Sequence, residues 1–421
     1  MQIVSAEEAI AALPRSGRVF VGPGCGLPVV LGDAIGATAD RFRGLQVYVG
    51  LVFEPIGLLD ADPACVRLVS LHPTGPTEPL ITRGDADYLP LRYSQIPSTF
   101  SPGGALPVDA AVIQVAPPDA RGFCSLGVSV GTAAPVSHAA PLVIAEINPR
   151  MPRTHGSGAL HVSEIDLGVE VDHPLVPLSA ARVTETEQAI ARHVAALVPD
   201  GATIQIGIGA VPQAILEALS GHRDLGVHSG MLCDGMIPLI ESGAINGARK
   251  SLDPYRHAAG EVLGTERLFE FVDDNPGVLM LPATRSHGLE YVRGQRGFVS
   301  INSALEVDLT GQVNAEWLGG RQVSGLGGSF DFVEGALYAP DGFSVLAMTA
   351  TAARGTASRI VPHFAAGTAV TTPRQCVDYV VTEFGVADLR AKTLRERGDA
   401  LAAIAHPQYR AALVASLTPP A

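Results

Sequence analysis

Short runs of Val, Ile and other apolar residues alternate along the chain with Ala- and Leu-rich stretches of helical spacing. Val19 to Val21, Ala111 to Val115, Leu142 to Ile147 and Thr203 to Ile206 read as strands buried on both faces, because such runs have no polar side to turn toward water. The alternation predicts an α/β fold with largely parallel sheets. The pattern also echoes itself. SGRVFVGPGCGLPVVLGDAI (Ser16 to Ile35) and DGATIQIGIGAVPQAILEAL (Asp200 to Leu219) each carry a turn glycine, a strand, a GxG pair, a proline and an amphipathic helix. A period this long suits duplicated domains rather than stacked repeats. Two similar open α/β domains are therefore expected, at 1–175 and 186–421. The join falls around DHPLVPLSAARVTE (Asp172 to Glu185), where prolines and a polar turn precede a helix over Glu185 to Leu197.

Composition narrows the function classes. Of 421 residues, 47% are apolar and 17% charged, which supplies a large core and argues against disorder. Lys plus Arg is 29 and Asp plus Glu is 42, a net charge of −13 that argues against nucleic-acid or anionic-membrane partners. The five cysteines are scattered without CxxC spacing, so neither a disulfide scaffold nor a metal site is expected. The N-terminal stretch carries Glu7 and Glu8 where a signal segment would be basic and apolar, and no apolar run reaches membrane-spanning length. A cytoplasmic location is expected.

The 46 glycines point to backbone-rich turns. A GxG between strand and helix brings the backbone close to a ligand and aims free helix N–H groups at an anion. The same spacing also makes a plain tight turn. Neither copy is a full GxGxxG or a phosphate-binding Walker loop, which removes the main support for a dinucleotide oxidoreductase. Ser324-Gly325-Leu326-Gly327-Gly328 is a further close-approach loop or a bulge.

Longer segments carry a resemblance. QIGIGAVP (Gln205 to Pro212), DLGVH (Asp224 to His228), SINSALEVDLTGQV (Ser300 to Val313), SGLGGSFDFVEGA (Ser324 to Ala336), SRIVP (Ser358 to Pro362), YVVTEFGVADLR (Tyr379 to Arg390) and IAHPQYR (Ile404 to Arg410) resemble the acetyl-CoA hydrolase/transferase family, including its 4-hydroxybutyrate and butyryl CoA-transferases. PVDAAVIQVAPPDARGFCSLGVSV (Pro107 to Val130) and INPRMPRTHG (Ile147 to Gly156) extend the resemblance through the first half. It implies a duplicated CoA-transferase fold, acyl-CoA and a small acceptor as substrates, no tightly bound cofactor, and a homodimer or homotetramer. It also implies a ping-pong reaction in which a glutamate attacks the thioester, giving a mixed anhydride and then a glutamyl-CoA thioester.

The chain departs from that pattern where the family places its glutamate. Here the run is His228-Ser229-Gly230-Met231, and Gly230 has no side chain to acylate. Neighbouring Asp224 and Asp234 match family positions of their own. Three readings follow: direct acyl transfer to water or a small bound acceptor, which the missing carboxylate favours; CoA transfer through a substitute nucleophile; and an inactive CoA-binding homologue. Cys233, three positions on, and Ser229, adjacent to Gly230, are candidate substitutes, although a cysteine there also suits a small buried filler. His228 and His287 are candidate bases; the alternative is a structural role for His228 and a solvated loop for His287, which by resemblance falls where relatives carry asparagine. Glu146 reads as a site lip or a core-edge charge. By resemblance, CoA contacts fall to Gly207, Ile208, Gly209, Gly327, Gly328 and Arg354, the arginine suiting phosphate. The turn Gly22 to Pro28 and Ala116-Pro117-Pro118-Asp119 are expected on the acceptor side.

Overall fold

The computed structural model describes residues 1–417. Eight parallel strands form one sheet in the order Gln2–Ile3, Leu167–Glu170, Val143–Ile147, Ala110–Val115, Gly17–Val21, Leu45–Val49, Val66–Ser70 and Ala86–Tyr88. Six form a second, in the order Gly226–Val227, Thr203–Ile206, Phe298–Ser303, Phe343–Ala347, Tyr379–Thr382 and Gly385–Asp388, with only the last pair antiparallel. The expected strands are present with small shifts of boundary. The helix expected after the join runs over Glu185–Ala195 and starts at Thr184, which forms a capping box with Glu187. Upstream of it, 171–184 holds no helix or strand.

Chain order fixes where a ligand can sit. In the first sheet the connections leave the adjacent strands Gly17–Val21 and Ala110–Val115 in opposite directions; in the second the same is true of Thr203–Ile206 and Phe298–Ser303. Each reversal opens a crevice at the carboxyl ends of the strands. Both GxG turns lie there, at Gly22-Pro23-Gly24 and Gly207-Ile208-Gly209.

The two sheets share one apolar core that includes Phe20, Phe100, Ile113, Ile204, Val299 and Val381. Fully burying each of these large side chains contributes about 1.5–3 kcal/mol. Backbone bonds also join the halves. Val130 N and Gly131 N donate to Gly260 O at 3.1 and 2.8 Å, and Val262 N donates to Val128 O at 2.8 Å. A second seam runs along the loop before Ile96. Tyr93 N donates to Gly327 O at 2.9 Å, Ser94 Oγ to Asp331 Oδ1 at 2.8 Å, and Arg92 pairs with Glu334 at 2.6 Å.

Glu146 is a strut of the first sheet rather than a lip of the site. It is fully buried on Val143–Ile147, where Oε1 accepts from Leu31 N at 2.6 Å and Oε2 meets His173 Nε2 at 3.2 Å. The carboxyl thereby serves the first turn of the helix Val29–Ala37, which has no side-chain cap of its own. Burial raises its pKa, and the bond to His173 opposes the rise.

Among the described residues no helix is long and apolar enough to cross a membrane, and no three His, Cys, Asp or Glu are grouped to hold a metal ion.

Candidate functional site

A cleft of about 270 Å³ lies between the carboxyl ends of the two sheets. The second half supplies Gly207 and Ile208 after one strand, Asn302 and Ser303 at the end of another, and the Gly327-Gly328 turn. The first half supplies Pro23, Gly24, Gly50 and Leu51 from its own strand ends. Behind the second wall, Gln205 Oε1 accepts from Ser300 Oγ at 2.9 Å and from Asn302 Nδ2 at 3.0 Å, so the buried amides are held as a network.

Two helices begin at the glycine turns. Ala210–Ala218 follows Gly209, whose φ of +114° glycine adopts without steric cost, and Ser329–Tyr338 follows Gly328. Neither has a side-chain cap. Their first-turn N–H groups are therefore available to an anion or a developing oxyanion.

Among the described residues, the one carboxylate lining this cleft is Glu261, which the sequence did not single out. It is 3% exposed and sits on the two-residue strand Glu261–Val262, paired in parallel with Met231–Leu232. Gly260 N and Glu261 N donate to Gly230 O at 3.1 and 3.0 Å. The Tyr93 hydroxyl donates to Glu261 Oε1, while Oε2 finds no hydrogen-bond partner among the described residues. Burial pushes the carboxyl up to about 8, against the pull of the Tyr93 hydroxyl, and lifts the Tyr93 phenol well above its ordinary value. Gly131 has to be small: a Cβ there would stand 2.9 Å from Glu261 Oε1.

Gly230 lines the same cleft, and His287 fills the space a side chain there would need. A Cβ on Gly230 would lie 2.8 Å from His287 Nε2 and 3.3 Å from the Phe332 ring. The imidazole stands between Tyr93 and Phe332, with centroids 4.3 and 4.6 Å away, and its Nδ1 meets Ser286 Oγ at 2.9 Å. Burial pushes it down to about 3. It is a neutral packed ring at neutral pH, not a solvated loop histidine.

The other candidates are dispersed. His228 is fully buried, lies outside the cleft lining, and its Nε2 meets Ser286 O at 3.0 Å; burial and nearby Lys250 push it down to about 3. Ser229 Oγ donates to Ile206 O at 3.1 Å. Cys233 lines a neighbouring hollow with Gly207, Gly209 and Asp234, and burial pushes its thiol up to about 12. Arg354 is exposed, with φ +57°, in the turn between Thr351–Ala352 and Ala357–Ser358, and does not line the cleft. Pro23 and Gly24 reach the cleft as expected of the first-half turn. Ala116 to Asp119 do not; they line a separate hollow with Arg150, Arg153 and Glu266.

Glu261 did leave a trace in the sequence. It is the lone charge in HAAGEVLG (His257 to Gly264), an otherwise apolar, glycine-flanked run. A buried acid in such a run needs a partner or a function.

The acetyl-CoA hydrolase/transferase N-terminal domain matches residues 1–179, and the C-terminal domain of the same family matches 264–417. The 4-hydroxybutyrate coenzyme A transferase of Clostridium kluyveri is 41% identical over 98% of this chain and 96% of its own length. Among solved structures, RipA from Yersinia pestis superposes with a TM-score of 0.91 at 30% identity, covering 99% of this chain and 96% of RipA. The 4-hydroxybutyrate CoA-transferase of Porphyromonas gingivalis gives 0.82 at 34% identity, covering 98% and 96%.

Proposed function

The chain belongs to the acetyl-CoA hydrolase/transferase family, and on that premise we propose that it moves CoA between carboxylic acids with Glu261 as its nucleophile. One observation carries the proposal: a buried carboxylate with a free oxygen, bonded through its backbone to Gly230, in a cleft walled by both glycine turns.

The chemistry follows from the parts. Oε2 of ionised Glu261 adds to the thioester carbonyl carbon, the C–S bond breaks, and CoA leaves as a thiolate. The thiolate then attacks the Glu261 carbonyl of the mixed anhydride and expels the first carboxylate, leaving a glutamyl-CoA thioester. An acceptor carboxylate reverses both steps, forming a new acyl-CoA and freeing Glu261. No net proton moves, so the thioester bond energy is kept through covalent capture. First-turn N–H groups at Gly328 and Gly209 suit the developing oxyanion and the CoA chain.

Direct acyl transfer to water gains its appeal from a missing carboxylate, and the cleft holds one. Hydrolysis therefore becomes the second reading, and acetyl-CoA hydrolases such as that of Yarrowia lipolytica, 27% identical over 73% of this chain, keep it in view. An inactive homologue would have no need of so costly a buried acid. We place the reaction in the cytoplasm, in a homodimer or homotetramer with the domains divided at 175 and 186.

The test is chemical trapping. In wild-type protein incubated with acetyl-CoA, borohydride should reduce the glutamyl-CoA adduct to the side-chain alcohol with release of CoA, a change that peptide mapping assigns to Glu261. Glu261→Ala should lose CoA exchange by about a thousandfold or more. An adduct on any other residue, or exchange that survives in Glu261→Ala, overturns the assignment.

A further inference from the structure

We propose that the acyl groups this cleft accepts are uncharged and apolar, because Leu51, Leu71, Leu91 and Ile96 line it together with Glu261 and no arginine or lysine is among its lining residues. The proposal rests on the reading of Glu261 as the nucleophile of a ping-pong exchange. In such an exchange the leaving and entering acids bind in turn at one place, so a single wall judges both.

The second-half wall carries the glycine turns that suit CoA. That leaves the first-half wall for the acyl chain. Leu71 and Ile96 are buried at 3% and 4% exposure, and Leu51 and Leu91 complete the apolar surface. The ionisable groups on the lining are Glu261, Tyr93, His72 and His287, and none is a cation at neutral pH. Burial pushes His72 down to about 4, so it offers a neutral ring at that end of the cleft. The ring packs on the Gly325 to Gly327 loop, where a Cβ on Gly327 would lie 2.9 Å from its Nδ1. Arg92, the nearest arginine along the chain, lies off the lining and is held by Glu334.

A second carboxylate on the substrate would be stripped of water here with no counter-charge on the lining. A methylene costs nothing of this kind and gains from the leucines, about fourfold in kcat/KM for each one buried. Monocarboxylic acyl groups should therefore be favoured over dicarboxylic ones by about a hundredfold.

The experiment measures kcat/KM for acetate, butanoate, succinate and glutarate as acceptors, with acetyl-CoA as donor. Butanoate should exceed succinate by about tenfold or more; a smaller ratio overturns the proposal. His72→Arg and Leu91→Arg place a guanidinium on the acyl wall by two routes, and whichever variant keeps the wild-type melting temperature should move the ratio toward succinate. Should both unfold, the wild-type ratio still decides. Thiol release from butanoyl-CoA and succinyl-CoA without any acceptor separates the two ideas: a protein that only hydrolyses has lost the exchange reading, while the same ratio between these thioesters still supports or overturns the acyl class.

Discussion

The carbonyl of Gly230 accepts the backbone N–H of Glu261 at 3.0 Å, so the position at which the family resemblance expects a glutamate is tied directly to the carboxylate that lines the cleft. Gly230 immediately precedes the strand Met231–Leu232, which pairs in parallel with Glu261–Val262. The carboxylate on the neighbouring strand lines the same cleft as Gly230. The empty side-chain position is then not a vacancy, because His287 occupies its space.

That occupancy predicts the fate of a restored glutamate. In Gly230→Glu the new Cβ meets His287 Nε2 at 2.8 Å, and the ring is flanked by Tyr93 and Phe332. The substitution should cost about 1–3 kcal/mol of stability and fail to raise CoA exchange. Adding His287→Asn removes the obstacle and should recover at least half of the lost stability in thermal melts. A Gly230→Glu protein as stable as wild type would show that the ring is not held as described.

Glu261 also gives the protein a definite pH response. Its folded pKa, pushed up to about 8, lies above the ordinary value of 4.5. The unfolded chain ionises first as pH rises, so this group's contribution is most favourable below about 4.5 and is lost progressively up to about 8. Glu261→Gln does not titrate, and it should gain stability over wild type by about 1–3 kcal/mol more at pH 8 than at pH 5. Exchange needs the carboxylate and should run the other way, with kcat/KM in the wild type climbing from pH 6 toward pH 8. Melting curves and rates at matched ionic strength check both; a stability difference independent of pH would mean Glu261 is ionised throughout.

Cys233 offers a contrasting test. Burial pushes its thiol up to about 12, and it opens on the neighbouring hollow rather than on Glu261. A thiol in that state is a poor nucleophile at neutral pH. Cys233→Ser should keep exchange within about twofold of wild type, and iodoacetamide at pH 7.5 should not inactivate the protein faster than it modifies a free thiol peptide. Loss of activity on par with Glu261→Ala would return Cys233 to the mechanism.

How much of this was legible in the sequence depends on distance along the chain. The strand Thr203–Ile206 and its glycine turn are local, set by an apolar run and by residues that tolerate φ of +114° at Gly209, and they stand where the pattern put them. The resemblance brought Gly327 and Gly328 to the cleft as well. Glu261 was missed because its meaning comes from Tyr93, 168 positions away, and from a two-residue strand too short to show a period. Arg354 illustrates the reverse. A basic residue next to a matched motif suggested a phosphate contact, yet the side chain stands at an exposed turn away from the cleft. His287 read as a loop residue because the sequence around it is polar, and only the packing of Tyr93 and Phe332 shows it buried.

Tyr93 reaches from the first half to Glu261 in the second, and its hydroxyl can be removed without removing its ring. Tyr93→Phe keeps the contact with His287 and the backbone bond to Gly327, but takes away the hydrogen bond that the hydroxyl makes to Glu261 Oε1. A hydrogen bond to a charged group contributes about 1.5–3 kcal/mol. Its loss should raise the Glu261 pKa further, since this bond is the largest influence opposing burial. CoA exchange at pH 7 should fall by about 10- to 100-fold, and the rising limb of the pH profile should move to higher pH, so that part of the deficit is recovered at pH 9. A purely structural tyrosine would give the same loss at every pH together with a lower melting temperature. The shift of the limb, with melting unchanged, is the signature that Tyr93 works by positioning and charging the Glu261 carboxylate.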